Sequence, residues 1–156
     1  MNRRSFPRHV TLGRRQSGFT LIEVLIAILV LGFGLLGFAL LQTMNVRYVQ
    51  SANFRTQATN LSYEMLDQIR ANRVAAPKYV GSYTATTTNC APVTDTQLEP
   101  ATYMTDWRCR LGKALGANAT AQIVRNGAQY EVRVTWGDER WKADATDLTF
   151  TASTRL

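Results

Sequence analysis

The chain has 156 residues, which suits one domain with an additional segment. Hydrophobic residues make up 46% of it, a share that argues against wholesale disorder. The net charge of +7 comes mostly from five arginines within residues 1–18, where no acidic residue occurs. Residues 19–156 carry 13 basic and 11 acidic side chains, so charge gives little reason to expect a nucleic-acid-binding protein.

The sequence offers little for catalysis. His9 is the only histidine and lies in the basic tail, so no Ser-His-Asp or Cys-His site can form in the rest of the chain. Two cysteines without a nearby histidine cannot complete the usual zinc ligand sets, and no glycine-rich phosphate-binding motif occurs. We expect neither enzymatic activity nor a metal or cofactor; an enzyme that uses carboxylates or lysines alone is the alternative.

A long apolar segment follows the basic tail. Residues 24–46 carry no charged side chain, a stretch long enough to cross a hydrocarbon core of about 30 Å as a helix. The positive-inside rule predicts that residues 1–18 stay in the cytoplasm and that the rest of the chain is exported. The segment is too long for an ordinary secretory signal, and no small-x-small cleavage site follows it.

Glu23 is an unusual residue at the start of this segment. A carboxylate within a membrane helix costs a few kcal/mol, unless it lies near the interface and reaches water. Cleavage between Gly18 and Phe19 would create a new amine one helical turn from Glu23. The amine and the carboxylate would then be charge partners, within one chain or between adjacent chains.

The run Gly18-Phe19-Thr20-Leu21-Ile22-Glu23, between a basic leader and a long apolar helix, resembles the class III signal of type IV prepilins and pseudopilins. The resemblance implies cleavage by prepilin peptidase after Gly18 and N-methylation of Phe19. It also implies that Glu23 registers one subunit against the next during fibre assembly. It covers residues 1 to about 46.

The apolar segment departs from many major pilins in one respect, because it has no proline. It has three glycines instead, which favour close approach of neighbouring helices and permit local bending: Gly32, Gly34 and Gly37.

The helical pattern continues into the polar part of the chain. Apolar side chains recur there at steps of three or four residues and form one stripe: Phe54, Ala58, Leu61, Met65 and Ile69. We predict one helix from about Thr20 to Arg73, ended by Pro77. The stripe is short for a coiled coil, so a small sheet of the same chain is the expected partner.

The C-terminal part is predicted to be rich in β-strands. Residues 77–100 read as loop with a short strand near Tyr79 to Tyr83. A hairpin is expected from 121–125 and 129–136, connected by Asn126-Gly127, with a last strand around Leu148 and Phe150. The predicted fold is α+β: a long N-terminal helix, membrane-spanning in its first half, packed on a small antiparallel sheet.

This interpretation divides the chain into four segments. They are the basic leader (1–18), the transmembrane and assembly helix (19–46), the amphipathic soluble half of the helix (47–76) and a β-rich periplasmic lobe (77–156).

Cys90 and Cys109 are the only cysteines, and both follow the membrane segment. In an oxidising periplasm we expect a disulfide between them, which would stabilise the lobe by about 3 kcal/mol. Two separately buried thiols are the alternative.

Two other clusters suggest binding sites. Four carboxylates near the last strands could hold calcium, although a solvated turn is the preferred interpretation: Asp138, Glu139, Asp144 and Asp147. The tryptophans Trp107, Trp136 and Trp141 lie beside arginines, as in single-strand nucleic-acid sites, but core packing explains them more simply.

The resemblance extends more weakly to minor pilins of the PilV kind. It implies a low-abundance subunit that primes pilus assembly, joins the fibre or its tip, and supports twitching motility. Its partners would be other minor and major pilins, prepilin peptidase and the inner-membrane assembly platform. The chain would first span the inner membrane once, with a cytoplasmic N-terminus and a periplasmic lobe.

Two alternatives remain for the function. A minor pseudopilin of a type II secretion system would have the same N-terminal chemistry, so residues 18–46 cannot separate the two. A DNA-binding competence pilin belongs to another class. The lobe's nine basic and eight acidic residues make direct contact with nucleic acid an unfavoured interpretation.

Overall fold

The computed structural model describes residues 18–88, 90, 99–138 and 144–156. The predicted basic leader before Gly18 lies outside this range, as do Glu139 and Trp141 from the two predicted clusters. The chain divides after Thr43 into two compact units.

The first element is a helix, α1, over Leu21–Ala71. Its bounds confirm the predicted helix to within two residues at each end. The apolar side chains of 21–41 are exposed in the single chain, and the helix is long and apolar enough to cross a membrane. Exposure of such a large apolar surface to water is unfavourable, so these side chains need lipid or other helices around them.

The second compact unit contains the rest of α1 and all the other elements. Its connecting segment Arg73–Tyr79 is a 3₁₀-helix. Four strands and one further helix follow: β1 (Gly81–Thr84), α2 (Pro100–Leu115), β2 (Thr120–Asn126), β3 (Gln129–Trp136) and β4 (Leu148–Arg155).

The strands form one antiparallel sheet in the order β1-β2-β3-β4. Asn126 pairs with Gln129 at the end of the central hairpin, so the turn lies at Gly127 and Ala128, one residue later than predicted. Gly127 has a φ of 62°, a conformation that glycine adopts without steric cost. The predicted first strand is also displaced, because Tyr79 ends the 3₁₀-helix and β1 begins at Gly81.

The core lies between α1 and the inner face of the sheet. The predicted stripe is buried from Ala58 to Ile69, and Phe54 packs at its margin. Alternate side chains of β2 and β3 face this stripe: Ala121, Ile123, Tyr130, Val132, Val134 and Trp136. The architecture is therefore the predicted pilin-like α+β arrangement, a long N-terminal apolar helix on a small antiparallel sheet.

The helix α2 has no counterpart among the predicted elements. Its buried side chains Met104, Trp107, Leu111 and Leu115 complete the core beside α1. Trp107 is fully buried, and its indole Nε1 donates a hydrogen bond of 3.2 Å to the Leu61 carbonyl of α1. Gly112 lets α2 approach β1, since a Cβ there would lie 2.2 Å from the carbonyl oxygen of Thr86.

Cys90 and Cys109 form the predicted disulfide, with their Cα atoms 5.6 Å apart. The alternative of two separate thiols is thus wrong. Because Cys109 lies in α2, the bond connects this helix to the segment that follows β1.

Candidate functional site

The candidate site is the first turn of α1 with the residues just before it. Gly18, Phe19 and Thr20 precede the helix, and the Phe19 side chain is 83% exposed. A Cβ on Gly18 would meet no atom within 4 Å. Nothing within the described chain therefore requires glycine at this position, and a requirement for it would come from a molecule that binds this segment.

Thr20 caps the helix. Its Oγ1 accepts a hydrogen bond of 3.3 Å from the Glu23 backbone N–H, and its carbonyl accepts from the N–H groups of Glu23 and Val24. A threonine followed three residues later by glutamate is the sequence signature of a capping box. The sequence analysis did not identify this role for Thr20, although the Thr-x-x-Glu spacing could have indicated it.

Glu23 lies in the first turn of α1. The first turn of a helix exposes unpaired N–H groups and the positive end of the helix dipole, so a carboxylate there is stabilised by up to about 1 kcal/mol. The same field would disfavour a new amine at Phe19. A carboxylate one turn away would offset that effect, and it would do so for an amine of its own chain or of a neighbour.

Nothing within the described chain requires glycine at the three glycine positions of the apolar segment. A Cβ on Gly32, Gly34 or Gly37 would meet no atom within 4 Å. At 100° per residue, Gly34 and Gly37 lie on one side of α1 and Gly32 on the other. Glycine on two sides suits a helix that other helices approach closely from several directions.

A second polar cluster joins α1 to α2 in the lobe. The Tyr103 hydroxyl donates a hydrogen bond of 2.7 Å to Glu64 Oε1, and the Arg110 guanidinium donates to the same oxygen. Arg110 also pairs with Asp106 at 2.7 Å. Burial and the adjacent Glu64 carboxylate raise the pKa of Tyr103 above its ordinary value. Burial disfavours the charged form of Arg110, but its contacts with Glu64 outweigh this and raise its pKa.

This cluster borders a cleft of about 500 Å³, lined also by Asn53, Gln57, Asn60 and Lys113. The cleft is open and mostly polar, whereas sites for small molecules are usually enclosed and apolar. We interpret the cluster of Glu64, Tyr103 and Arg110 as a structural connection between two helices.

Of the two clusters that suggested binding sites, the structure describes Asp138, Asp144, Asp147, Trp107 and Trp136. Asp138 is 4% exposed and accepts a hydrogen bond of 2.6 Å from Ser51 of α1, with Arg55 at 3.5 Å. Among the described ranges, no group of three or more potential metal ligands occurs. Trp136 lies on the buried face of β3, and Trp107 of α2 lies in the hydrophobic core. Both positions are those expected for core packing.

Comparisons with known proteins support the first of these sites. Residues 13–39 match the family described as the prokaryotic N-terminal methylation motif. No curated protein and no solved structure is significantly similar to the chain. The match includes Gly18, Phe19 and Glu23, and such a motif implies processing by prepilin peptidase and assembly with other pilins. The chain therefore carries the N-methylation motif of prokaryotic prepilin-like proteins, of the type IV pilin and pseudopilin class.

Proposed function

We propose that the protein is a minor type IV pilin that takes part in pilus assembly, in the complex that primes the fibre or at low abundance within it. The observation that carries the proposal is the methylation motif at the start of a helix that is exposed over its apolar part and packed on a sheet over its polar part. The role is structural: the helices of neighbouring subunits bury their apolar faces against each other.

In this proposal, the sequence of events follows from the N-terminal chemistry. The uncut chain waits in the inner membrane with the lobe in the periplasm. Prepilin peptidase cleaves between Gly18 and Phe19, and Phe19 is N-methylated. Glu23 then pairs with the Phe19 amine of a neighbouring subunit, and this pairing sets the axial register as the subunit leaves the membrane for the fibre.

The proposal is tested by mass spectrometry of fibres sheared from the native cells. We expect the chain to be present with its N-terminus at methylated Phe19. If the processed chain occurs in the membrane and never in the fibres, the protein is instead a minor pseudopilin or an assembly component that stays at the base.

Gly18→Glu provides a processing control. We expect this variant to keep its leader, because the peptidase requires a small residue at the cut, while the open surroundings of Gly18 leave the fold unchanged. Gly18→Ala, which adds only a methyl group, should still be cut to a substantial extent. A Gly18→Glu chain of mature length on a gel would contradict the assignment of the cleavage site.

A further inference from the structure

The strand β4 is an edge of the sheet, and no other described strand pairs with its outer side. The Leu156 N–H donates to the Ala128 carbonyl at 2.9 Å, which continues the β3–β4 ladder by one hydrogen-bonded pair. In an antiparallel ladder such pairs alternate with pairs that make no hydrogen bond. The backbone groups that point away from β3 are therefore those of Thr149, Thr151, Ser153 and Arg155.

The opposite edge of the sheet, at β1, is covered at its C-terminal end by α2. The Arg108 side chain of α2 donates a hydrogen bond of 2.8 Å to the Thr84 carbonyl of β1. The Thr86 N–H just beyond β1 donates to the Arg108 carbonyl at 3.2 Å, and the disulfide holds this region together. Within the described part of the chain, the backbone N–H and C=O groups of β4 that point away from β3 make no such backbone hydrogen bond.

The open edge also lacks the usual protection against pairing. Such edges are commonly blocked by proline, by inward-facing charge or by a bulge. β4 has eight residues, pairs with β3 without interruption, and contains neither proline nor lysine. Its outward groups therefore form a regular template on which another extended chain can form hydrogen bonds.

The side chains around the edge indicate which residues a pairing strand would need. On the inner face, Phe150 and Tyr63 of α1 have ring centroids 6.2 Å apart, and Tyr63 is 52% exposed. Leu148 is only partly buried beside them. On the outer face the exposed residues are Thr149, Thr151, Ser153 and, at the end, Arg155.

We propose that the β4 edge receives an extended strand from a different pilin-type subunit. The donated strand runs antiparallel to β4. It has an acidic residue opposite Arg155 and, five residues further along its own sequence, an apolar residue opposite Phe150. The apolar side chain covers the exposed ring of Tyr63, and the acidic one completes a cross-strand ion pair. This inference rests on the proposed function, which supplies neighbouring subunits.

A second copy of this chain does not suit the edge. Two copies joined symmetrically through β4 would be related by an axis perpendicular to the sheet, which reverses every direction within the sheet plane. The α1 helix packs flat on the sheet, so the two helices would run in opposite directions. Under the proposed function both chains enter the membrane at the start of α1, which does not suit a pair of α1 helices that run in opposite directions.

The test compares amide hydrogen exchange of β4 in native fibres with exchange in the purified chain in detergent. In the purified chain we expect slow exchange at Phe150, Ala152 and Thr154, whose N–H groups pair with β3, and fast exchange at the outward positions. In fibres we expect the outward amides of Thr149, Thr151, Ser153 and Arg155 to become protected as well. Equal exchange in the two states would overturn the proposal.

Thr151→Pro provides a second measurement. Proline removes an N–H that points away from β3, so the sheet loses no internal hydrogen bond, and an edge strand tolerates the ring. We expect this variant to fold, to be processed and to be absent from fibres, whereas Thr151→Ala, which keeps the N–H, is incorporated. Ser153→Pro repeats the test if Thr151→Pro does not retain its disulfide and unfolding temperature.

The outcomes separate this inference from the proposed function. If the wild type is in fibres and Thr151→Pro is incorporated equally well, the edge proposal fails and the minor-pilin proposal stands. If the wild type is absent from fibres, the minor-pilin proposal fails, and exchange in native membranes decides the edge proposal. Protection of the outward amides there would support a strand donor within a membrane complex, and its absence would overturn the proposal.

Discussion

Thr20 and Glu23 show how a single turn can carry a charge at the start of a membrane helix. The Thr20 side chain satisfies the Glu23 N–H, and the unpaired N–H groups of the turn attract the carboxylate. These interactions reduce the cost of placing Glu23 before an apolar helix without a partner from another chain. In the proposed function, an uncut subunit can therefore remain in the membrane until processing creates the amine with which Glu23 is proposed to pair.

Tyr103 lies in an environment that predicts a measurable pH dependence of stability. The folded protein raises the pKa of Tyr103, while the unfolded chain keeps the ordinary value of 10.0. Above that pH the unfolded state loses the proton first, so the stabilisation is present below about pH 10 and is lost as the pH rises further. The direction follows from burial and from the Glu64 carboxylate that accepts the hydroxyl proton.

We expect Tyr103→Phe to be less stable than the wild type by about 1 kcal/mol at pH 7, because one hydrogen bond to Glu64 is lost. The difference should shrink as the pH rises above about 10, and urea denaturation at several pH values measures it. Tyr48→Phe, at an exposed position of α1, should have the same stability as the wild type at every pH. A constant difference between Tyr103→Phe and the wild type over this range would contradict the assignment.

At the scale of elements, the contact between α2 and β1 depends on Gly112. A Cβ there would lie 2.2 Å from the Thr86 carbonyl oxygen, and backbone atoms cannot yield as a flexible side chain can. We expect Gly112→Ala to destabilise the protein by about 3 kcal/mol despite the better helix propensity of alanine. Chemical denaturation measures the loss.

Gly127→Ala is the matched control for Gly112→Ala. It also replaces glycine by alanine, but into open space, so only the cost of a positive φ remains, about 1 kcal/mol. Equal losses at the two positions would show that the close approach of α2 to β1 is not rigid.

The disulfide fixes the same region covalently. Its two cysteines are 19 residues apart, and a closed loop of this length stabilises a fold by about 3 kcal/mol. We expect Cys90→Ser/Cys109→Ser to lose that amount in urea denaturation. Reductant should bring the wild type to the level of the variant and leave the variant unchanged; a wild type indifferent to reductant would contradict this.

The elements that the sequence predicts are those with strong local signals. The apolar stripe of α1 is enough to predict the helix. The turn signal Asn126-Gly127, followed by the alternation of Tyr130, Val132 and Val134, is enough to predict the central hairpin. The helix α2 has a similar signal in Met104, Trp107, Leu111 and Leu115, at steps of three and four, directly after Pro100 at its first position. This spacing would have predicted a helix, whereas only the disulfide and the core position of Trp107 were expected in this region.

Contacts between distant residues could not be predicted in the same way. Glu64 and Arg110 are 46 residues apart, and Ser51 and Asp138 are 87 apart. No local pattern indicates which charged side chain meets which, because the pairing depends on how α1, α2 and the sheet pack. The candidate site is different, since Gly18, Phe19 and Glu23 lie within six consecutive residues and form a motif that is recognisable before any fold is known.

At the scale of the whole molecule, the two compact units have different requirements. Residues 44–156 form a unit with its own core, ion pairs and disulfide, whereas the side chains of 21–41 are exposed within the described chain. In the proposed function, lipid supplies that burial before assembly, and the helices of other subunits supply it afterwards. Transfer between these environments is nearly neutral for apolar side chains, so polar interactions such as that of Glu23 decide whether it occurs.

Glu23→Val tests this argument. We expect the variant to be cleaved after Gly18, because the residues at the cut are unchanged, and to accumulate in the membrane. It should be depleted from sheared fibres, since the valine offers no charge to the Phe19 amine of the next subunit. Quantitative mass spectrometry of membranes and fibres measures both fractions.

Two conservative variants separate charge from shape at this position. Glu23→Asp keeps a carboxylate in the first turn and should restore part of the incorporation. Glu23→Gln keeps the size and a polar group that can complete the cap, yet it lacks the charge, so it should behave like Glu23→Val. If Glu23→Gln enters fibres as well as the wild type does, Glu23 acts mainly as a helix cap, and the register between subunits comes from the packing of the apolar faces.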